Sequence, residues 1–244
     1  MAAHPDLSLV LLSESTLPDV AKFISSPRLS HLGASIEKER DEQLVFALGG
    51  GGHLLVSLVE ALPPELGPAA LLGGLSEEAI GSAKAHLIVA ALGLMGGRRE
   101  RDAAFAQLVA ALLEASPAIG ATFGEGLCYQ DAAFFSRAVD SAEGEVPVFL
   151  AIDITAAPEP EERISFLTHG MERYEREEFF VTAPLSGDGA LPFLLELMHW
   201  CISEDERELA PGDTVGRTED ERIVVRRMPS PIGAEAQVIR LDLD

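Results

Sequence analysis

Two apolar runs, Leu44 to Leu48 and His53 to Val59, meet at four consecutive glycines, Gly49 to Gly52. Glycine reaches the positive-φ conformations that tight turns need, so this spacing predicts a β-hairpin with a loose glycine turn. A hairpin commits its sheet to antiparallel neighbours, and that narrows the choice of fold sharply. The other apolar runs are as short. Leu7 to Leu12, His86 to Leu92, Ala118 to Phe123 and Val146 to Ile154 read as strands, as do the alternating Arg163 to Thr168 and the run Glu178 to Thr182. Two more are expected near the end, Arg222 to Arg227 and Gln237 to Leu243.

Helices announce themselves through their caps. Thr16 with Asp19 three residues later, and Pro18 between them, opens one running through Ile24. Ser76 before Glu77 and Glu78 starts another, to about Lys84. From Glu100 to Ala115 the residues Phe105, Leu108, Val109, Leu112 and Leu113 recur at helical spacing, one stripe facing a core. Asp131 to Val139 and Asp188 to Ile202 complete the set, with Asp188 as an N-cap. The chain therefore reads as α+β, with mixed or mainly antiparallel sheets and helices packed on one face. The order strand, helix, several strands, helix can be laid over residues 7–84 and again over 86–203, with 131–139 as an insertion. On that pattern the expected halves are 1–84 and 85–244, related by duplication, although their strand counts differ and their residue identity is negligible.

Charge excludes more than it identifies. Forty Asp and Glu face 18 Lys and Arg, a formal charge of −22, and lysine occurs only at Lys22, Lys38 and Lys84. Such a field repels nucleic acid and anionic lipid, and it speeds encounter with a basic protein. Solubility or a salt-rich habitat is the plainer account of the same number. An apolar fraction of 47% suffices for a real core. Two cysteines make no disulfide framework and suit a reducing compartment. The opening Met1 to Asp6 has no basic residue, and no apolar stretch reaches the ~18 residues of a membrane span. Cytoplasmic location is the expectation.

Each candidate for chemistry has a simpler reading. Cys128, in Gly124-Glu-Gly-Leu-Cys-Tyr-Gln130, precedes an expected helix whose N-terminus would lower its pKa, with His86 or His169 as a base. No catalytic signature surrounds it, and cysteine often serves as a small buried hydrophobe. Gly93-Leu-Met-Gly-Gly-Arg-Arg99 joins a strand to a helix as a phosphate loop does, but its spacing fits neither glycine fingerprint and it has no lysine. It reads as a tight turn with Arg98 and Arg99 solvated. Glu196 and His199 share a helical face without the second pair a bundle metal site needs. No catalytic residue, cofactor or metal is expected.

The stronger candidates are acidic surfaces. Residues 204–221 hold eight acids and two arginines around a Pro211-Gly212-Asp213 turn, and residues 172–178 add a mixed cluster with one aromatic. A tyrosine among carboxylates and arginines is what an interface hot spot contains. The expected partner-binding residues are Glu172, Tyr174, Glu175, Glu178, Glu204, Asp205, Glu206, Asp213, Glu219, Asp220 and Glu221.

These segments carry a resemblance. His86-Leu-Ile-Val-Ala-Ala-Leu92, Leu108-Val-Ala-Ala-Leu-Leu113, Gly120-Ala-Thr-Phe123 and, most specifically, Pro211-Gly-Asp-Thr-Val-Gly-Arg-Thr-Glu-Asp-Glu-Arg222 resemble the uncharacterised bacterial family known as domain of unknown function 4261, over about residues 80–244. The chain departs from it in having Leu71, Leu72, Thr122 and Phe123 where that family has tryptophans. The strand at 178–183, the helix at 190–203 and the turn ending at Asp213 are fainter echoes of suppressor-of-fused-type domains, non-catalytic protein binders of which some resemble bacterial immunity proteins. The resemblance implies a binding role and supplies no catalytic residues. The expected function is thus a non-catalytic acidic module, an immunity-type or adaptor protein that binds a protein such as a toxin or effector. The alternatives are a structural component forming homo-oligomers and an enzyme of unrecognised type built on Cys128.

Overall fold

The computed structural model describes residues 6–66, 72–124, 128–186, 188–203 and 208–244, the side chains of residues 234 and 235 excepted. The chain forms two compact units, Met1–Ala151 and Ile152–Asp244.

In the first unit the elements run β1 (Asp6–Leu12), α1 (Val20–Ile24), β2 (Ser35–Arg40), β3 (Gln43–Ala47), β4 (His53–Val59), α2 (Glu77–Gly81), β5 (Ala85–Leu92), α3 (Arg98–Ala115), β6 (Ala118–Ala121), β7 (Gln130–Asp131), α4 (Ala132–Ser141) and α5 (Val148–Ala151). Its seven strands make one antiparallel sheet in the order β2-β3-β4-β5-β1-β6-β7. The glycine hairpin forms as expected, β3 against β4 with Phe46 opposite Leu54, and Gly50 and Gly51 turn it at φ 78° and 89°. The strand β1 lies between β5 and β6, so residues on both sides of position 84 interleave in one sheet. The division between units falls after Ala151, and no boundary separates 1–84 from 85–124.

Alternation along each strand assigns its faces. Val10, Leu12, Leu54, Val56, Leu87 and Val89 point to one side, where they bury against α1, α3 and α4, and Phe23 meets Phe46 at a ring separation of 4.6 Å. The helix α3 has α1 and α4 as neighbours besides the sheet, so Ala106, Ala110 and Ala111 are buried as well as the expected stripe. The opposite face carries Leu7, Leu9, Leu11, His86 and Ile88. Part of it is covered by α2, whose Ala79 and Ile80 pack with Leu11, Leu75 and Tyr129.

In the second unit β8 (Asp153–Glu159), β9 (Arg163–His169) and β10 (Glu178–Pro184) form an antiparallel meander. After α6 (Ala190–Ser203) and a small ribbon of β11 (Thr214–Val215) and β12 (Ile223–Val224), the strands β13 (Arg226–Ser230) and β14 (Gly233–Asp242) complete a five-stranded sheet, β13-β14-β10-β9-β8. Pairing of β14 with β10 is parallel and the rest antiparallel, so this sheet is mixed.

Several expectations are corrected: Arg222 to Arg227 is divided between β12 and β13, which belong to different sheets, and α2 packs on the sheet face opposite α1, α3 and α4, so the helices do not share one face. Val146 to Ile154 is not one strand: Pro147 opens the turn α5, accepting from Leu150 N at 2.8 Å and Ala151 N at 3.1 Å, and the strand starts only at Asp153. A continuous apolar run cannot by periodicity alone be told from a buried helical turn. The strand β2 was not foreseen, because all six of its residues are exposed and most are polar or charged.

Candidate functional site

The acidic stretch 172–178 separates into exposed and internal parts. Gly170, at φ 121°, lets the chain enter a 3-10 turn at Met171–Tyr174, and Glu175 leaves it in the left-handed region at φ 59°. Tyr174 is buried at 8% exposure, a core residue and not a surface anchor. Glu178 also faces inward. Its carboxylate accepts from Gly170 N at 2.7 Å, Met171 N at 2.9 Å and Thr168 Oγ1 at 2.6 Å, so it pins this turn to β9. Glu172 and Glu175 are exposed, and their carboxylates make no hydrogen bond or ion pair among the described residues.

The stretch expected as a loop at 204–221 contains, from Ala210, an ordered acidic hairpin. Asp213 Oδ2 accepts from Ala210 N at 2.8 Å, and Gly212 N and Val225 O pair at 2.9 Å across the ribbon. At the tip, Glu221 accepts from Arg217 N at 2.6 Å and from Arg217 Nε at 2.9 Å, while the Arg222 guanidinium donates to the Glu219 and Glu221 carbonyls at 2.5 and 2.8 Å. The Arg217 hydrogen bond holds the Glu221 carboxyl below the usual carboxylate range, and Glu221 in turn holds the Arg217 guanidinium above its own. Gly216 is required here, because a Cβ would come within 2.5 Å of Glu221 O. Asp213 and Glu221 are therefore scaffold, and the carboxylates the hairpin leaves outward are Glu219 and Asp220. Glu204, Asp205 and Glu206 lie outside the described residues, as does Leu71.

Five described arginines of the second unit are occupied internally. Arg163 donates to Leu243 O at 2.7 Å and Arg176 to Cys201 O at 3.1 Å. Arg227 pairs with Glu177 at 2.7 Å, and Arg226 and Arg240 converge on Asp242 at 2.8 Å each. This unit holds 21 of the 40 acids and 9 of the 18 basic residues, all nine of them arginines. The described cations Arg163, Arg176, Arg217, Arg222, Arg226, Arg227 and Arg240 are spent on carbonyls and on a few chosen carboxylates, and the unit's surplus charge is negative.

In the first unit, Arg98 is not solvated as expected. It stands at the start of α3 between two acids, pairing with Asp6 of β1 and with Asp102, whose side chain is fully buried. The glycine turn at 93–97 is thus closed by an ion-pair cluster whose cation is already committed.

Cys128 is buried at 4% exposure and lines a cavity of about 620 Å³ on the outer face of the seven-stranded sheet. It does not sit at the helix N-terminus: Asp131 is the N-cap of α4 and its carboxylate takes the Phe134 N–H at 2.9 Å. The imidazoles have structural duties. His86 Nδ1 donates to Ala61 O at 3.1 Å, and His169 Nε2 lies 3.1 Å from Thr155 Oγ1 in the other unit. Among the described residues no three His, Cys, Asp or Glu side chains converge as metal ligands, and no helix is long and apolar enough to cross a membrane.

No protein-family model matches the chain, and no similar protein was found among curated proteins or solved structures.

Proposed function

We propose that this chain is a non-catalytic binding module whose acidic second unit engages a basic protein partner, in the manner of a bacterial immunity-type or adaptor protein. The observation that carries this reading is the division of labour among charges in the second unit. Arg163, Arg176, Arg226, Arg227 and Arg240 hold the fold, while the carboxylates of Glu172, Glu175, Glu219 and Asp220 stand exposed and make no hydrogen bond or ion pair among the described residues. Glu219 and Asp220 occupy the tip of a hairpin already ordered by Arg217 and Glu221, so a partner that meets them loses little entropy in fixing them.

The test is affinity capture from the native host, followed by salt titration of the captured complex. A partner of basic pI is expected, with affinity falling severalfold between low and physiological ionic strength. The double change Glu219→Gln, Asp220→Asn is expected to weaken it and to flatten the salt dependence. A neutral or acidic partner, or binding indifferent to salt, would overturn the proposal.

A further inference from the structure

The cavity beside Cys128 has a lining that the acidic hairpin does not explain. Its wall is the segment 62–66, held by two hydrogen bonds: Tyr129 Oη donates to Pro64 O at 3.0 Å, and His86 Nδ1 to Ala61 O at 3.1 Å. Its other side is α2 with Leu75, seated over β6 at Gly120, where a Cβ would come within 2.4 Å of Leu75. Pro63, Pro64, Leu66, Leu75, Ile80 and Tyr129 give it an apolar interior. The charged residues that line it, Glu65 and Glu77, are both exposed, and no described lining residue is cationic. A volume of about 620 Å³ lies in the range of ligand sites.

The apolar surface does not stop at the cavity. Leu62, on its rim, is 71% exposed although the backbone on both sides is fixed. Along the same face of the sheet Leu9 is half-buried, and Leu7, Ile88 and Leu92 are exposed at 44%, 41% and 43%. Register places Leu9 opposite Ile88 and Leu7 opposite Ala90, so this strip is contiguous. Contiguous exposed apolar surface rimmed by charge marks protein interaction sites.

We infer that this cavity is the docking pocket for an apolar side chain, flanked by lysines or arginines, on the basic partner. The inference rests on the proposed preference for basic protein and extends it to the first unit taken by itself: apolar contact inside the pocket supplies affinity, and Glu65 and Glu77 select for positive flanks. A second copy of this chain fits less well, because two chains of charge −22 repel.

The experiment uses the full chain and fluorescence anisotropy with three labelled peptides: a central leucine flanked by lysine pairs, the same peptide with serine for leucine, and the same leucine flanked by glutamates. The lysine–leucine peptide is expected to bind at least about tenfold tighter than the serine control, the difference that burying one leucine gives, and tighter than the glutamate-flanked control, whose charges meet Glu65 and Glu77. Gly81→Phe fills the pocket from a position where a Cβ meets nothing within 4 Å, so the fold is retained while binding falls about tenfold. Glu65→Gln with Glu77→Gln, both on exposed residues, is expected to lower affinity and its salt dependence. If Gly81→Phe binds the lysine–leucine peptide like the parent, the pocket is refuted, and the acidic-surface reading is left to the capture experiment, which this result does not touch. If the lysine–leucine peptide binds no better than the glutamate-flanked one, Glu65 and Glu77 do not select the occupant and the pocket proposal falls. If all three peptides bind alike, the selectivity claimed for the pocket is wrong.

Discussion

Glu178 and Thr168 are joined across β10 and β9 by a hydrogen bond of 2.6 Å, and Thr168 Oγ1 in turn accepts from Phe179 N at 2.8 Å. Two side chains thereby close the turn between their strands, since the second carboxylate oxygen takes the Gly170 and Met171 N–H groups. Thr168 is fully buried, so losing this carboxylate strands its hydroxyl and leaves two N–H groups unpaired. Glu178→Ala is expected to destabilise the second unit by about 1–3 kcal/mol, measured by urea unfolding. Exposed Glu172→Ala is expected to stay within about 0.5 kcal/mol of the parent. Equal effects would show that Glu178 is no more internal than Glu172.

The Arg98 cluster makes a sharper demand. Asp102 is fully buried in α3, and Arg98 pairs with it at a helix start that has no side-chain cap. Breaking a buried pair from one side leaves an uncompensated charge, so Arg98→Ala is expected to cost about 3–5 kcal/mol. Combining Asp102→Asn with Arg98→Met removes both charges together, and most of the loss is expected to return. Denaturant midpoints of the parent, single and double variants measure this coupling. A single variant as stable as the parent would mean that water reaches Asp102.

How far these sites were legible in the sequence depended on where the signal lay. The β3–β4 hairpin was readable because its glycines and its apolar alternation agree. The helix α3 was readable because its stripe repeats at helical spacing. The strand β2 was hidden: Ser-Ile-Glu-Lys-Glu-Arg lies on the sheet edge, faces solvent throughout and has no burial pattern to betray it. Domain division was hidden for another reason. Placing β1 between β5 and β6 is a long-range pairing, and no local pattern encodes it. Acidic surfaces were legible as composition only. Which carboxylates turn inward depends on N–H groups that the fold brings to them, as at Glu178 and Asp213. The pocket at Tyr129 joins residues 62–66, 75–81 and 128–129, which are separate in sequence, and the only hint of it was Cys128, singled out for another purpose.

At acid pH the second unit is expected to weaken through Asp242. Burial by itself raises this carboxyl, but the hydrogen bonds from Thr182 and Arg240 and the charges of Arg240 and Arg226 outweigh it and hold the group below its ordinary 3.8. A folded value below the unfolded one means stability that is present above pH 3.8 and lost as pH falls through the folded value. The pair is partly solvated, so its share is about 1 kcal/mol or less. Asp242→Asn is expected to be less stable than the parent at pH 7 and equal to it near pH 2. Unfolding free energies across that range provide the measurement, and parallel curves for the two proteins would exclude this role.

At alkaline pH the same logic runs in the opposite direction at Tyr129. Burial pushes its phenol up from 10 to about 12, and the proton it keeps is the one donated to Pro64 O. Ionising it costs more in the folded chain than in the unfolded one. Its contribution is therefore intact below pH 10 and is lost as pH rises from 10 towards 12. Two tyrosines occur in the chain, so ultraviolet titration of tyrosinate is expected to end in a late step near pH 12 that Tyr129→Phe deletes. That hydrogen bond also holds the wall at 62–66, so Tyr129→Phe is expected to loosen the pocket and weaken the lysine–leucine peptide at neutral pH, where no tyrosine titrates. If both tyrosines finish ionising below pH 11 with the protein still folded, the ring is in contact with water and the pocket wall is not held as described.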